Sequence, residues 1–207
     1  MIKLPNVTLL AASSVKIEQT IKSLVISSAE IKFGEVVLVS HEKPKNLPEN
    51  ISFKEYKKMN NLNDYSAFCL YDLCEYVNTD FVLLVQYDSH VLRPEKWKNY
   101  FLDYDYIGAP WPANVHFNGE KNIRVGNGGF SIRSKKLLKI FNELNLKNYD
   151  GGTGFYNEDG QICNYYRPTL EKNGIKFAPV NVASQFSHEL DCHDSVEEPF
   201  GFHKYKK

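Results

Sequence analysis

The sequence predicts an α/β fold in which a mostly parallel sheet is flanked by helices. Three observations predict it. Short apolar, β-branched runs alternate with helix-like periodicities through the first half of the chain, the order expected of a layered α/β domain. One run, Phe81 to Tyr87 (FVLLVQY), is apolar almost without a break, as suits a strand covered on both faces. Polar residues follow directly on two of the runs, at Ala11 to Ser14 and at Asp88 to His90. Ligands of such sheets bind there, beyond the carboxyl ends of the strands.

Taken in order, Val7 to Ala12 reads as a first buried strand. Ser13 or Ser14 can cap a helix reaching about Ser28, with Ile17, Ile21, Leu24 and Val25 on its apolar face. Val36 to Ser40 is a second strand, the Pro- and Asn-rich stretch 43–50 a loop, and Ile51 to Tyr56 a third strand. Asn63 or Asp64 starts a helix to Val77, and Phe81 to Tyr87 follows as a strand. The second half is less regular. Pro94 opens a short helix through Trp97 and Phe101, and residues 103–125 read as irregular loops rich in aromatic residues, Gly, Pro and Asn. Phe130 to Arg133 is a strand, Ser134 caps a helix through Leu144, Glu158 to Asn173 is helical, and Ile175 to Pro179 is a strand. There is no internal repeat, low-complexity tract or linker, so residues 1–207 are read as a single domain.

A chain of 207 residues with 43% apolar and 24% charged residues has an ordinary globular composition. Its 25 basic residues balance 25 acidic ones, which argues against a general nucleic-acid binder. The local clusters Lys54, Lys57, Lys58 and Lys204, Lys206, Lys207 read as solvated faces. No segment approaches the roughly 18 apolar residues of a membrane span, and the N-terminus lacks a signal-peptide pattern. Cys69, Cys74, Cys163 and Cys192 show no C-x-x-C spacing. They read as reduced thiols of a cytoplasmic protein, with no zinc site.

Four motifs carry chemistry. Asp88-Ser89-His90 follows the apolar strand. A carboxylate and an imidazole at positions one and three of such a turn suit Mn²⁺ (or Mg²⁺), which would neutralise a departing diphosphate; an Asp opening a turn beside an exposed His is the simpler account. Gly126-Asn127-Gly128-Gly129-Phe130-Ser131 permits close approach of the backbone to a ligand, and matches neither a P-loop nor a dinucleotide fingerprint. Asn157-Glu158-Asp159 follows the Gly-rich run 151–155 and sets two carboxylates at a helix start, where one could serve as a general base or both could simply cap. Finally, Pro199-Phe200-Gly201-Phe202-His203 has the aromatic anchors of a tail packed onto the body. His188, His193, Glu189, Asp191 and Asp194 read as a surface loop.

The order of these motifs resembles that of GT-A glycosyltransferases. Asp-Ser-His is similar to the metal motif of the polypeptide GalNAc-transferases, and the Gly-Gly-Phe-Ser and Glu-Asp elements to those of β-1,4-galactosyltransferases. QYDSHVL, YDYIGAPWP, VGNGGFSIRSKKLL, ED and PFGFH look like the bacterial DUF5672 family of glycosyltransferase-like proteins, over about residues 60–203.

The resemblance implies a Rossmann-like, GT-A-like domain that moves a sugar from a nucleotide diphosphate sugar, a UDP-sugar, to a glycan hydroxyl. It implies a setting in bacterial surface-polysaccharide synthesis, with peripheral association to a membrane-linked acceptor. By the same resemblance Asp88, His90 and His203 bind the metal. Ala12 and Ser13 meet the base and ribose, and Gln86, Asp88, Gly128 and Gly129 border the donor. Asp159 is the catalytic base, and Glu158 binds the acceptor; the resemblance leaves retention or inversion open, and a positioned carboxylate base is what an inverting displacement requires. Tyr104, Tyr106, Trp111 and Phe117 are candidates to stack on sugars. A non-catalytic carbohydrate- or nucleotide-binding module and a nucleotide-sugar hydrolase are the alternative readings.

Overall fold

The computed structural model describes residues 1–112, 124–149, 157–189 and 198–204. The run 151–155, Phe117, Cys192, His193, Asp191 and Asp194 lie outside the described residues.

The chain opens with strand β1 (Ile2–Ala12), whose last six residues are all buried. Helix α1 (Ile17–Ser28) follows. Neither expected serine caps it. Lys16, in the left-handed region at φ 51°, takes that position. Ser13 instead closes a turn on Val15, and the Ser14 hydroxyl accepts the Met59 N–H. The buried face of α1 also differs from the apolar stripe. Thr20, Ser23, Leu24 and Ser27 are buried while Val25 is exposed. The serines have partners that periodicity cannot show. Ser23 donates to the Tyr87 carbonyl and Ser27 accepts the Val91 N–H, so α1 holds the segment that carries Asp88 and His90.

Next come β2 (Ile31–Ser40) and β3 (Ser52–Glu55). Helix α2 (Leu62–Ala67) is capped by Asn61, whose side chain accepts the Asp64 N–H. It runs on as a π-turn (Phe68–Asp72) and a 3₁₀ turn (Leu73–Tyr76), so the expected single helix is present but rewound midway. After β4 (Phe81–Val85) and β5 (Ser89–Val91) come two 3₁₀ turns, Pro94–Lys96 and Asn99–Asp103. Strands β6 (Tyr106–Ile107) and β7 (Phe130–Ser134) precede α3 (Lys135–Glu143), and the Ser134 hydroxyl caps α3 at the Leu137 N–H, as expected. A one-turn helix α4 (Glu158–Gly160), a π-turn (Gln161–Tyr165) and α5 (Arg167–Lys172) follow. The chain ends with α6 (Val180–Phe186), β8 (Ser187–Glu189) and β9 (Gly201–His203). The expected strand at Ile175 to Pro179 is reduced to one bridge between Phe177 and Tyr106.

The main sheet has the order β3-β2-β1-β4-β7-β6. Strands β3, β2, β1 and β4 are parallel, whereas β7 runs antiparallel to both β4 and β6. That reversal matters for the site. Val85, at the carboxyl end of β4, pairs with Phe130, at the amino end of β7. The Gly-rich segment before β7 therefore lands beside the polar turn after β4. A second sheet, β5-β9-β8, carries the late chain back to the same edge. Phe200 is fully buried and anchors it, with Trp97, Phe130 and Phe186 rings 5.2–6.0 Å away.

Replacing Phe200 by Ala should leave a cavity under β9 and cost about 3–5 kcal/mol. Urea unfolding of Phe200→Ala against the parent chain measures it, and a loss under 1 kcal/mol would show that the tail is not anchored there.

Candidate functional site

Two adjoining clefts open at the carboxyl ends of β1 and β4. The first, of ≈ 270 Å³, is lined by Ala12, Ser13, Val15, Met59 and Tyr87 among others, and shares Leu62, Tyr65 and Gln86 with the second. It is walled mainly by apolar groups. The Lys16 ammonium lies 3.8 Å from the centroid of the Tyr87 ring, a cation–π contact. Gln86 is fixed between the clefts. Its N–H donates to the Ser89 hydroxyl and its side-chain amide donates to the Tyr65 hydroxyl.

The second cleft, of ≈ 370 Å³, brings together Trp111, Asn127, Gly129, Glu158, Asp159, Glu189, His203 and Lys204. Its floor is a hydrogen-bonded chain. Arg133 Nε donates to the Ser131 hydroxyl, which donates to the Gly128 carbonyl. The Gly128 N–H donates to Asp159 Oδ2 at 2.9 Å, and the Gly160 N–H to Asp159 Oδ1 at 2.8 Å. Asp159 is thereby aimed by backbone groups while remaining half-buried at the cleft wall.

Behind it, Glu158 Oε1 meets Arg133 Nη2 at 2.9 Å, with both side chains buried. Glu158 thus has one oxygen committed to an internal cation, while the residue also lines the cleft. Burial and the adjacent Asp159 raise the Glu158 pKa, with Arg133 opposing them. Burial also works against the Arg133 charge, yet Glu158 holds the guanidinium firmly protonated. Tyr65, Cys69 and Tyr106 around the pair are pushed up by burial, Cys69 to about 12, and stay neutral.

The glycines serve the protein's own side chains first. A Cβ on Gly128 would strike Glu158 Oε1 and the Arg133 guanidinium, and one on Gly129 would strike the His203 ring. Only Gly129 of the two lines the cleft. Asn127, between these glycines and Gly126, sits at φ 53°, a left-handed position that Asn tolerates.

His203 stands between two carboxylates. Its Nε2 lies 3.4 Å from Asp88 Oδ1 and its Nδ1 lies 3.2 Å from Glu189 Oε2. All four atoms are buried, and none completes a hydrogen bond among the described residues. Burial opposes the imidazolium, but contacts with Asp88 and Glu189 prevail and raise His203 to about 9. Partial burial likewise opposes the Asp88 charge, and His203 reverses that, lowering its pKa.

His90 is not part of this group. It pairs with Phe202 across β5 and β9, its ring centroid 4.7 Å from that of Phe202 and its Nδ1 at the Val91 carbonyl. Phe202 and His203 are consecutive in a strand and point to opposite faces, so the structure unites two of the three expected metal ligands. Among the described residues, no group of three or more His, Cys, Asp or Glu is placed to hold a metal ion. Four buried polar atoms lacking hydrogen bonds nevertheless fit a divalent cation. Asp88 and His203 offer an oxygen and a nitrogen, and such ions commonly draw their remaining ligands from substrate phosphates and water.

Ala12, Ser13 and Gln86 all line the first cleft. Of the aromatic residues expected to stack on sugars, Trp111 lines the second cleft, whereas Tyr106 is fully buried and Tyr104 packs against the core. Sequence reasoning missed Arg133, Glu189 and Lys204. Arg133 could have been found as the one charge inside an apolar strand, in phase with Ser131. Glu189, read as part of a surface loop, sits in β8 beside His203. Nothing local marks Lys204.

The model of a family of proteins of unknown function, DUF5672, matches residues 43–203. The chain belongs to DUF5672. No curated protein matches the DUF5672 chain. Solved structures do match in fold. An active-site mutant of LgtC aligns with TM-score 0.61 at 15% identity, covering 97% of this chain and 88% of that one. The galactosyltransferase LgtC with donor and acceptor sugar analogues aligns with TM-score 0.54 at 14% identity, covering 95% and 86%. A glycosyltransferase involved in glycosylation of the major capsid of PBCV-1 gives 0.54 at 13%, covering 95% and 91%. At such identities the likeness shows the fold. This DUF5672 member has the GT-A-like α/β architecture of glycosyltransferases, with a six-stranded central sheet flanked by helices.

Arg133→Met strands the buried Glu158 carboxylate and should cost about 3–5 kcal/mol. The double variant Arg133→Met/Glu158→Met removes that stranded charge and should lose less. Urea unfolding of the two decides, and equal losses would mean that the pair contributes packing alone.

Proposed function

We propose that the protein is a metal-dependent glycosyltransferase that moves a sugar from a nucleotide diphosphate sugar, a UDP-sugar, to a glycan hydroxyl. The observation that carries this reading is one groove. An apolar base-sized cleft continues through Leu62, Tyr65 and Gln86 into a polar cleft where Asp159 and His203 both line the wall. The fold shared with glycosyltransferases supports it. The setting in surface-polysaccharide synthesis rests on the resemblance of the motifs.

In this reading the base and ribose lie at Ala12 and Ser13, against Val15, Met59 and the Tyr87 ring. Among the described residues the first cleft is lined by hydroxyls, amides and apolar groups, which offer both donors and acceptors to a base. Asp88 and His203 hold the cation, and His90 stands on the other face of the β5-β9 pair, against Phe202. When bound, the cation supplies positive charge to the departing diphosphate. Among the described residues Lys204 is the one Lys or Arg lining the polar cleft, where three carboxylates would otherwise repel an anionic donor. Its backbone N–H donates to the Asp88 carbonyl at 3.1 Å, which ties its position to that of Asp88. Asp159 accepts the acceptor hydroxyl's proton as the oxygen attacks the anomeric carbon, with inversion. Its two backbone hydrogen bonds hold its direction, and the buried Arg133–Glu158 pair holds the helix start that carries it.

A thermal-shift screen of nucleotide sugars, with and without Mn²⁺, tests the reading. A true donor at a hundred times its dissociation constant stabilises by about 2.7 kcal/mol. Turnover should then depend on acceptor and disappear with EDTA. Stabilisation without release of nucleoside diphosphate would make the protein a binding module, and sugar release that needs no acceptor would make it a hydrolase.

Asp159→Asn should lower turnover about a hundredfold or more with donor affinity nearly intact. Full activity in this variant would remove Asp159 as the base.

Lys204→Ala should weaken UDP binding on the order of tenfold, about 1.4 kcal/mol. The effect should shrink at high salt, since an exposed charge is screened. Calorimetry at two ionic strengths reads both, and an unchanged affinity removes Lys204 from the site.

A further inference from the structure

We infer that Glu189 is a positioning residue that holds the His203 ring with Nδ1 turned to its own carboxylate and Nε2 turned to Asp88, so that Nε2 is the metal-binding nitrogen. The inference rests on the metal reading above and assigns the site's second layer.

Strand register sets up the arrangement. In the β5-β9-β8 sheet, His203 on the middle strand pairs with Ser89 on one side and Glu189 on the other. Side chains directly opposite one another share a face of the sheet. Glu189 therefore reaches the imidazole from one flank, at 3.2 Å from Nδ1. Asp88, next to Ser89, reaches it from the other flank, at 3.4 Å from Nε2. The ring has little freedom to exchange these neighbours. It is buried, and the missing side chain of Gly129 leaves only enough room for it.

Proton counting then separates the two nitrogens. A neutral imidazole carries one N–H and one lone pair, whereas a carboxylate only accepts. Both carboxylates facing the ring in the metal-free protein want a proton from it. Once a cation sits on one side, the proton stays on the other. The Nε2 edge of the ring is the one packed against Gly129, which lines the polar cleft, and Asp88 beside it is the more exposed of the two carboxylates, 24% against 13% for Glu189. Asp88 also stands two residues from Gln86, which joins the two clefts. The Nδ1–H then donates to Glu189, and the Nε2 lone pair is presented beside Asp88. A carboxylate on the far nitrogen of a metal-bound histidine fixes its tautomer and orientation, and its loss costs roughly 10–100-fold in metal affinity. This arrangement needs only two protein ligands, in keeping with the lack of a three-residue group among the described residues.

The test uses the whole chain with UDP present, comparing the parent, Glu189→Ala and Glu189→Gln. Mn²⁺ affinity is read by electron paramagnetic resonance, and the His203 ring nitrogens by ¹⁵N NMR of the Mg²⁺-loaded protein. Circular dichroism confirms that each variant is folded. Glu189→Ala should bind Mn²⁺ about 10–100-fold more weakly. Glu189→Gln should lose less, because its carbonyl still accepts the Nδ1–H. The parent spectrum should show a protonated Nδ1 and a metal-bound Nε2. Equal Mn²⁺ affinity in the parent and Glu189→Ala, or a metal-bound Nδ1, overturns the assignment of Glu189. Absence of Mn²⁺ binding by the parent would be a different result, overturning the metal reading itself and this inference with it.

Discussion

The buried pair of Arg133 and Glu158 is the constraint on which the rest of the site depends. A guanidinium with no exposure inside a sheet is sustained only by a nearby anion, and Glu158 at 2.9 Å supplies it. The pair ties β7, in the second half of the sheet, to the short helix that carries Asp159. Because α4 is a single turn, it has little stability of its own. Its position comes from this ion pair, from the Ser66 hydroxyl at the Glu158 N–H and from the two backbone groups on Asp159. The Asp159 carboxylate is thus held in place by partners set behind it.

The same strand joins the site's two halves. Because β7 runs against β4, the glycines before it fold over the carboxyl end of the parallel sheet rather than at the opposite edge. The Ser89 hydroxyl donates to the Gly129 carbonyl at 2.6 Å and fixes the distance between the polar turn and the glycine segment. The small second sheet completes the enclosure by bringing Glu189, His203 and Lys204 to that edge. The site therefore draws on residues from almost the whole length of the chain.

The charges form a graded arrangement. Arg133 and Glu158 neutralise each other out of water, while His203 and Glu189 at the cleft wall, and Asp88 behind them, keep buried atoms without hydrogen bonds among the described residues. Arg133 also keeps one nitrogen, Nη1, without a hydrogen bond among the described residues, but its charge is matched by Glu158 at 2.9 Å, whereas at His203 four such atoms from three ionisable groups face one another. That contrast is the physical basis for looking for the ligand at His203 rather than at Arg133.

Much of this was legible in the chain itself. The alternation of elements, the strand Phe81 to Tyr87 with its polar turn, the Ser134 cap and the Glu-Asp helix start are local properties, and local periodicity and capping report them faithfully. The tail motif likewise announced a packed end through Phe200 and Phe202. Tertiary structure decided the direction of β7, the burial of Tyr106 and Arg133, the serine-lined face of α1, and the choice of Glu189 over His90 as the neighbour of His203. Each of these turns on which distant strand or side chain becomes a partner. Strand direction and register are settled by long-range pairing, and a one-residue difference in register sends a side chain to the opposite face. A histidine two residues after Asp88 reads as its companion in sequence, yet in the folded sheet the residue that meets Asp88 comes from the far end of the chain.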